Sequence, residues 1–183
     1  MKMPSLVFAL LLVSIPAAAQ LPKATEVPPG AMAQSDVDFM RTADAANIDQ
    51  MTLGARASGR AKNPGVRSLA DNVVQSHKKA DDALRLLAGV KHVDLEHRQT
   101  ERGQDEAGEL IRRDVPAERL YVEGVVRDNR DLIALYENAR AHSEDPDIRS
   151  FADTMLPALR DHERQAQDLL ARENVADGHQ ENP

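Results

Sequence analysis

The chain predicts an all-α fold, a four-helix bundle made of two copies of one helical hairpin, and three observations carry that expectation. The first is a repeat. Asn63-Pro64-Gly65-Val66-Arg67-Ser68-Leu69-Ala70-Asp71 returns as Asp145-Pro146-Asp147-Ile148-Arg149-Ser150-Phe151-Ala152-Asp153, an offset of 145 − 63 = 82 residues. The same offset pairs Phe39 with Tyr121, Asn47 with Asn129, Met51 with Ile133, Leu53 with Leu135 and Ala57 with Ala139 without a gap. A repeat of this length is a supersecondary unit. The second observation is apolar spacing at three and four residues over four long segments, with no alternating β-branched run. The third is the length of the connection between the two copies, far longer than the few residues that join simple up-down helices.

Taken in order, the first element is an address. Lys2 precedes an apolar run from Leu6 to Ile15, and Pro16-Ala17-Ala18-Ala19-Gln20 offers an A-x-A cleavage site. A run of ten residues is too short for a bilayer, which takes about 20. Residues 1–19 are therefore expected to be a signal peptide, leaving no membrane span after cleavage and a periplasmic or cell-envelope protein. Residues 20–34 read as a flexible spacer, since Pro22, Pro28, Pro29 and Gly30 oppose a helix.

The bundle is expected over residues 35–172. Ser35 is the expected cap of the first helix, with Asp38 completing a capping box, and that helix runs to about Lys62. Asn63 caps the second, with Pro64 in the first position, where a missing N–H costs nothing. Gly89 is expected to end it. The third runs from about Pro116 to Ser143, and Asp145-Pro146 starts the fourth, which lasts to about Arg172. Pro157 inside the fourth helix should kink it and free a carbonyl one turn earlier. Residues 173–183 are polar and read as a disordered tail. The connection from Val90 to Val115 is charged, and Leu110 and Ile111 suggest a short helix within it. A single long crossover between two hairpins is the ferritin-like arrangement.

Composition excludes several classes. The formal net charge is −7, and removal of Lys2 with the signal peptide would make it −8. Tryptophan is absent and aromatics are 3% of residues, which opposes nucleic-acid binding by a basic, stacking surface. The same acidity opposes adhesion to anionic lipid. With no cysteine there is no disulfide, thiolate metal site or cysteine nucleophile, so packing alone must stabilise the domain.

Each apolar stripe is broken once by a polar residue. The 66-69-73-77-80-84 spacing puts His77 on the inner face of the second helix, and 148-151-155-159-162-166 does the same for His162. Asn47 falls between Ala43 and Met51, and Asn129 between Val125 and Leu132. All four lie near their helix midpoints, so a buried polar layer of Asn47, His77, Asn129 and His162 is expected. Buried Asn and His can pair with each other and set helix register. The competing reading is a divalent transition metal held by His77 and His162. The di-iron pattern of such bundles needs Glu-x-x-His, and Val74 and Leu159 occupy the positions where that glutamate would stand. An Asn₂His₂ set is also a poor match for zinc or iron.

Other polar residues carry less. Asp49 and Asp131 lie two residues past the asparagines, about 200° around the helix, and are expected in solvent. Ser76 beside His77 points away from it. His92 and His97 read as solvated connector residues. Arg67 with Asp71, and Arg149 with Asp153, read as i,i+4 surface pairs. No catalytic constellation emerges.

Ser35-Asp36-Val37-Asp38-Phe39-Met40, Asn63-Pro64-x-Val66 with Leu69-Ala70 and His77, Tyr121-Val122, Phe151-Ala152 and Leu156-Pro157-x-Leu159-x-x-His162 resemble a bacterial exported family, the domain of unknown function numbered 4142 of the ferritin-like superfamily. The resemblance covers about Ser35 to Leu170. The chain departs from the family pattern at Ser76, where Asp is frequent, at Asn129, where His is frequent, and at Arg119-Leu120, where Phe-Asp is frequent. The resemblance implies a four-helix bundle in the periplasm or envelope and no established activity. The expected function is a non-enzymatic binding or interaction protein of the envelope with an unknown protein or small-molecule partner, the metal-binding bundle being the second reading.

Overall fold

A computed structural model describes residues 32–112 and 116–178, with side chains to 110 and from 117 to 173. The expected signal peptide, most of the spacer and the last five residues lie outside that part. The described chain forms five helices: α1 (Gln34–Arg60), α2 (Pro64–Lys91), α3 (Glu101–Arg112), α4 (Pro116–His142) and α5 (Pro146–Gly178). There is no strand among the described residues. Helix α5 runs through Pro157 and beyond the expected limit near Arg172.

The repeat explains the hairpins residue by residue. Asn63 Oδ1 accepts from Gly65 N at 2.8 Å, and its counterpart Asp145 accepts from Asp147 N at 2.9 Å, so each caps a helix that opens on proline. The repeated arginines do not pair within their own helices as expected. Arg67 donates to the Ala61 carbonyl at 2.5 Å and Arg149 to the Ser143 carbonyl at 2.8 Å, closing the end of the preceding helix in both copies. Asp71 and Asp153 also reach back, to Ser58 Oγ at 2.5 Å and Arg140 at 3.4 Å. The conserved pattern inside the repeat is thus a turn-closing device, with the fully buried Ala70 and Ala152 permitting close approach. In the first hairpin Gly54 does the same: a Cβ there would stand 2.8 Å from Val74 Cγ2 and 3.1 Å from the Ala70 carbonyl.

Two expected end signals are overruled. Ser35 is not the cap of α1; Ala33 stands there with no side-chain bond, and Gln34 Nε2 binds Asp38 at 2.8 Å instead. Gly89 does not end α2, which continues to Lys91 and stops at His92 in the left-handed conformation (φ 57°). Its N–H reaches the Ala88 and Gly89 carbonyls, the job an αL cap performs.

The connector fixes the topology. Arg41 binds the Asp94 carbonyl, Asp44 binds His97, Asp49 binds Thr100 and Arg56 binds the Ala107 carbonyl. Rising numbers on both sides mean that the crossover runs alongside α1 in the same direction. The helices therefore run up (α1), down (α2), down (α4) and up (α5). Lys91 Nζ, at the end of α2, meets Asp145 at 2.6 Å at the start of α5. Lys62 N meets Glu118 at 2.5 Å at the opposite end.

Candidate functional site

The core is two apolar clusters, one per half of the bundle. The first holds Phe39, Met40 and Ala43 of α1, Ala80 and Leu84 of α2, Leu132 and Tyr136 of α4, and Ile148 to Leu159 of α5. Phe39, Tyr136 and Phe151 meet there with ring centroids 5.1–6.2 Å apart. The second holds Leu53 and Ala57, Val66 to Val73, Tyr121 to Val126, and Ala166. On every one of the four helices the boundary between the clusters falls at a polar residue: Asn47, His77, Asn129 and His162. These are 1%, 1%, 0% and 2% exposed, so the layer is closed to solvent.

The four do not form one network. His77 Nδ1 donates to Asn47 Oδ1 at 2.9 Å, joining α1 to α2 and leaving Nε2 as a bare lone pair. The His162 ring lies 5.8 Å from that of His77, centroid to centroid, tilted by 34°. It also bonds the Asn72 backbone of α2, and its Nδ1 is unpaired. Asn129 turns away: Nδ2 donates to the Val125 carbonyl of its own helix at 2.8 Å, and Oδ1 is unpaired. Burial pushes the His77 imidazole down to about 3, with the neighbouring His162 adding to the effect. Burial lowers His162 as well, against Asp161 and the Asn72 backbone. Both rings are therefore neutral at pH 7. No carboxylate joins the layer, so the di-iron set does not fit these residues.

A second polar region lies on the outer face of α1, where the sequence pattern pointed to solvent. Asp49 is 6% exposed and accepts from Thr100 N at 3.1 Å and Thr100 Oγ1 at 2.6 Å, at the entry to α3. Burial nonetheless holds its carboxyl above the usual range, against Thr100 and Arg102. Its repeat counterpart Asp131 is exposed. The two have the same angular position on their helices; the connector covers only one of them. His97, expected as a solvated loop residue, is likewise tied down. Its backbone N–H donates to Asp44 Oδ2 at 2.8 Å and its Nδ1 lies 3.0 Å from Asp44 Oδ1 and 3.7 Å from Asp81 Oδ1. Both His97 and His92 remain exposed.

Asp128, 4% exposed on α4, is surrounded by donors: Gln50 Nε2 at 2.9 Å, Arg127 Nε at 3.0 Å and Arg102 at 3.2 Å. This cluster links α1, α3 and α4. Nothing in the local pattern marked it, because its partners come from three separate elements.

Between α1, the connector and α4 lies a groove of about 830 Å³. Its floor includes Leu53, Leu132 and Leu135, and its walls carry seven carboxylates, among them Asp49, Glu106 and Asp128, against three arginines. Gln50 Oε1 and Gln99 Nε2, both in its lining, are buried without a hydrogen-bond partner. The groove can hold a drug-sized molecule, and its charge favours cations.

Residues 21–169 match the family model described as Domain of unknown function (DUF4142). The crystal structure of a DUF305 fragment from Deinococcus radiodurans is similar, with a TM-score of 0.69 and 16% sequence identity over 78% of this chain and 99% of that one. At that identity the likeness is one of fold. No curated protein matches the chain.

Proposed function

The chain belongs to the DUF4142 family, and from that premise we propose that it is an exported, ferritin-like bundle that acts without catalysis, by binding a small cationic molecule or partner group in the groove beside α1. The observation that carries this reading is the groove itself. It is large enough for a ligand, acidic on balance, and its lining holds the unpaired Gln50 Oε1 and Gln99 Nε2. Gln50 Oε1 is a buried acceptor, and a turn of its amide toward the groove would let a cationic donor satisfy it. The up-down-down-up order with one long crossover supports the ferritin-like assignment. The apolar run Leu6–Ile15 followed by the small-residue site supports export to the periplasm or envelope.

In this reading the inner layer is structural. The His77–Asn47 bond joins two helices between the two apolar clusters, and an apolar pair there would not distinguish one helix register from another. The test uses spermidine as a cationic probe and citrate as an anionic one. With the ¹⁵N-labelled protein, spermidine should shift the Gln50 and Gln99 side-chain amides, citrate should not, and Gln50→Leu should weaken the response. Equal response to both probes, or none at the groove, overturns the reading.

The unpaired His77 Nε2 and His162 Nδ1 favour a second reading, a divalent transition metal between the two rings. Metal retained stoichiometrically by the wild-type protein and lost in His162→Gln would select it over a purely structural layer.

A further inference from the structure

The geometry points to a divalent-cation site of the zinc class at Asp44, Asp81 and His97, where the crossover is fastened onto the first hairpin. Asp44 comes from α1, Asp81 from α2 and His97 from the stretch between α2 and α3, where its backbone is left-handed (φ 52°). One donor atom from each lies within 4.8 Å of the others, and this is the one such group of three or more acidic, imidazole or thiol donors among the described residues. It is separate from the His77–His162 pair, and Asp81 and His97 take no part in the groove lining.

The spacing fits a shared ion. Zinc binds imidazole nitrogen and carboxylate oxygen at about 2.0–2.2 Å, so donors on one ion stand roughly 3–3.6 Å apart. His97 Nδ1 lies 3.0 Å from Asp44 Oδ1 and 3.7 Å from Asp81 Oδ1. Two carboxylates and one imidazole are three protein ligands, with a fourth position for water. The half-open imidazole, 38% exposed, lies on the solvent side of the set.

A second observation points to a ligand rather than to an ion pair alone. Asp81 is 5% exposed, and its Oδ1, the atom turned toward His97, accepts no hydrogen bond. Its other oxygen has only Arg85 at 3.9 Å, and that guanidinium is itself 55% exposed. A buried carboxylate oxygen without a donor is costly. Asp44 is better served: His97 N–H holds its Oδ2 at 2.8 Å, which orients Oδ1 inward. This is the outer bond that fixes a ligating carboxylate. Burial raises the Asp81 carboxyl, against His97 and Arg85, and Asp44 and Asp82 add a smaller push in the same direction as burial. A bound dication supplies counter-charge and clamps α1, α2 and the connector together.

The test is metal retention after dialysis of the protein against zinc, with Asp81→Asn and His97→Gln beside the wild type. One zinc per chain is expected in the wild type, with affinity lower by about tenfold or more in each variant. Gln50→Leu should retain zinc as the wild type does, so failure of the groove reading and failure of this one are separable. No retained zinc, retention in both variants equal to that of the wild type, or loss only in His162→Gln overturns the proposal. Should Asp81→Asn fail to fold, the wild-type His97 imidazole resonances decide: a shift on adding zinc supports the site, and unshifted resonances overturn it.

Discussion

His77 and His162 face each other across α2 and α5 at 5.8 Å, yet they are not counterparts in the repeat. At the repeat offset His77 maps onto Leu159, and His162 onto Ala80, both 1% exposed. The approximate two-fold axis therefore carries the His77–His162 pair onto an apolar Leu159–Ala80 pair. Of two equivalent buried positions between these helices, one is polar and the other apolar. The asparagines kept the symmetry in sequence but lost it in bonding, since Asn47 joins a histidine and Asn129 its own helix.

That broken symmetry predicts unequal costs for equivalent substitutions. Asn47→Ala leaves the His77 Nδ1–H buried without an acceptor and should cost about 1–3 kcal/mol. Asn129→Ala removes a bond to the Val125 carbonyl, which already serves the helix, and removes the unpaired Oδ1 with it. It should cost clearly less. Urea unfolding of the two variants reads the difference directly; equal losses would mean that Asn129 supports the histidines after all.

The neutral histidines predict a pH dependence with a definite sign. His77 is held near 3 in the folded protein against an ordinary 6.5, so between those values the unfolded chain takes up a proton that the native one refuses. Stability from this group is complete above about pH 6.5 and is lost as pH falls toward 3, at up to about 1.4 kcal/mol per pH unit. His162 is also lowered and acts in the same direction. Asp49, Asp81 and Glu106 are raised and oppose it, because they favour the native state on the acid side. Comparing urea midpoints from pH 7 to 4 in the wild type and His77→Gln isolates the histidine. A flatter profile in the variant is expected, and identical slopes would place His77 in contact with water.

Much of this arrangement was legible in residue order, for a physical reason. Helix faces follow from spacing, so the burial of Asn47 and His162 could be read from a stripe, and the Pro-led caps from two copies of one motif. What escaped was tertiary. Asp49 and Asp131 have identical helical angles, and only the path of a connector 51 residues away in sequence makes one buried and the other exposed. His97 looked like a loop residue because its carboxylate partners sit on α1 and α2. Arg67 and Asp71 looked like a pair because they are four apart, but each finds a partner on the helix before the turn.

The turn-closing arginines should be equivalent in energy as they are in place. Arg67→Ala and Arg149→Ala each remove a charged donor from a carbonyl at the end of the preceding helix, and about 1 kcal/mol is expected from each. The caps should differ. Asn63→Ala should cost about 0.5–2 kcal/mol. Asp145→Ala should cost more, because Asp145 also accepts from Ile148 N and from Lys91 Nζ. Thermal unfolding of the four variants is the measurement; an Arg149→Ala protein as stable as the wild type would remove the turn-closing role.

Glycines on the two sides of the connector should respond in opposite ways to alanine. A Cβ at Gly103 would collide with the Asp49 carboxylate, displacing it from Thr100 and loosening the start of α3. Loss of those bonds around a buried acid should cost about 1–3 kcal/mol and speed amide exchange through α3. A Cβ at Gly59, within α1, meets nothing within 4 Å. There the gain in helix propensity should stabilise the protein by up to about 0.5–1 kcal/mol. Melting midpoints moving down for Gly103→Ala and up for Gly59→Ala are therefore expected. A Gly103→Ala protein with unchanged exchange in α3 would show that Asp49 does not hold the crossover to α1.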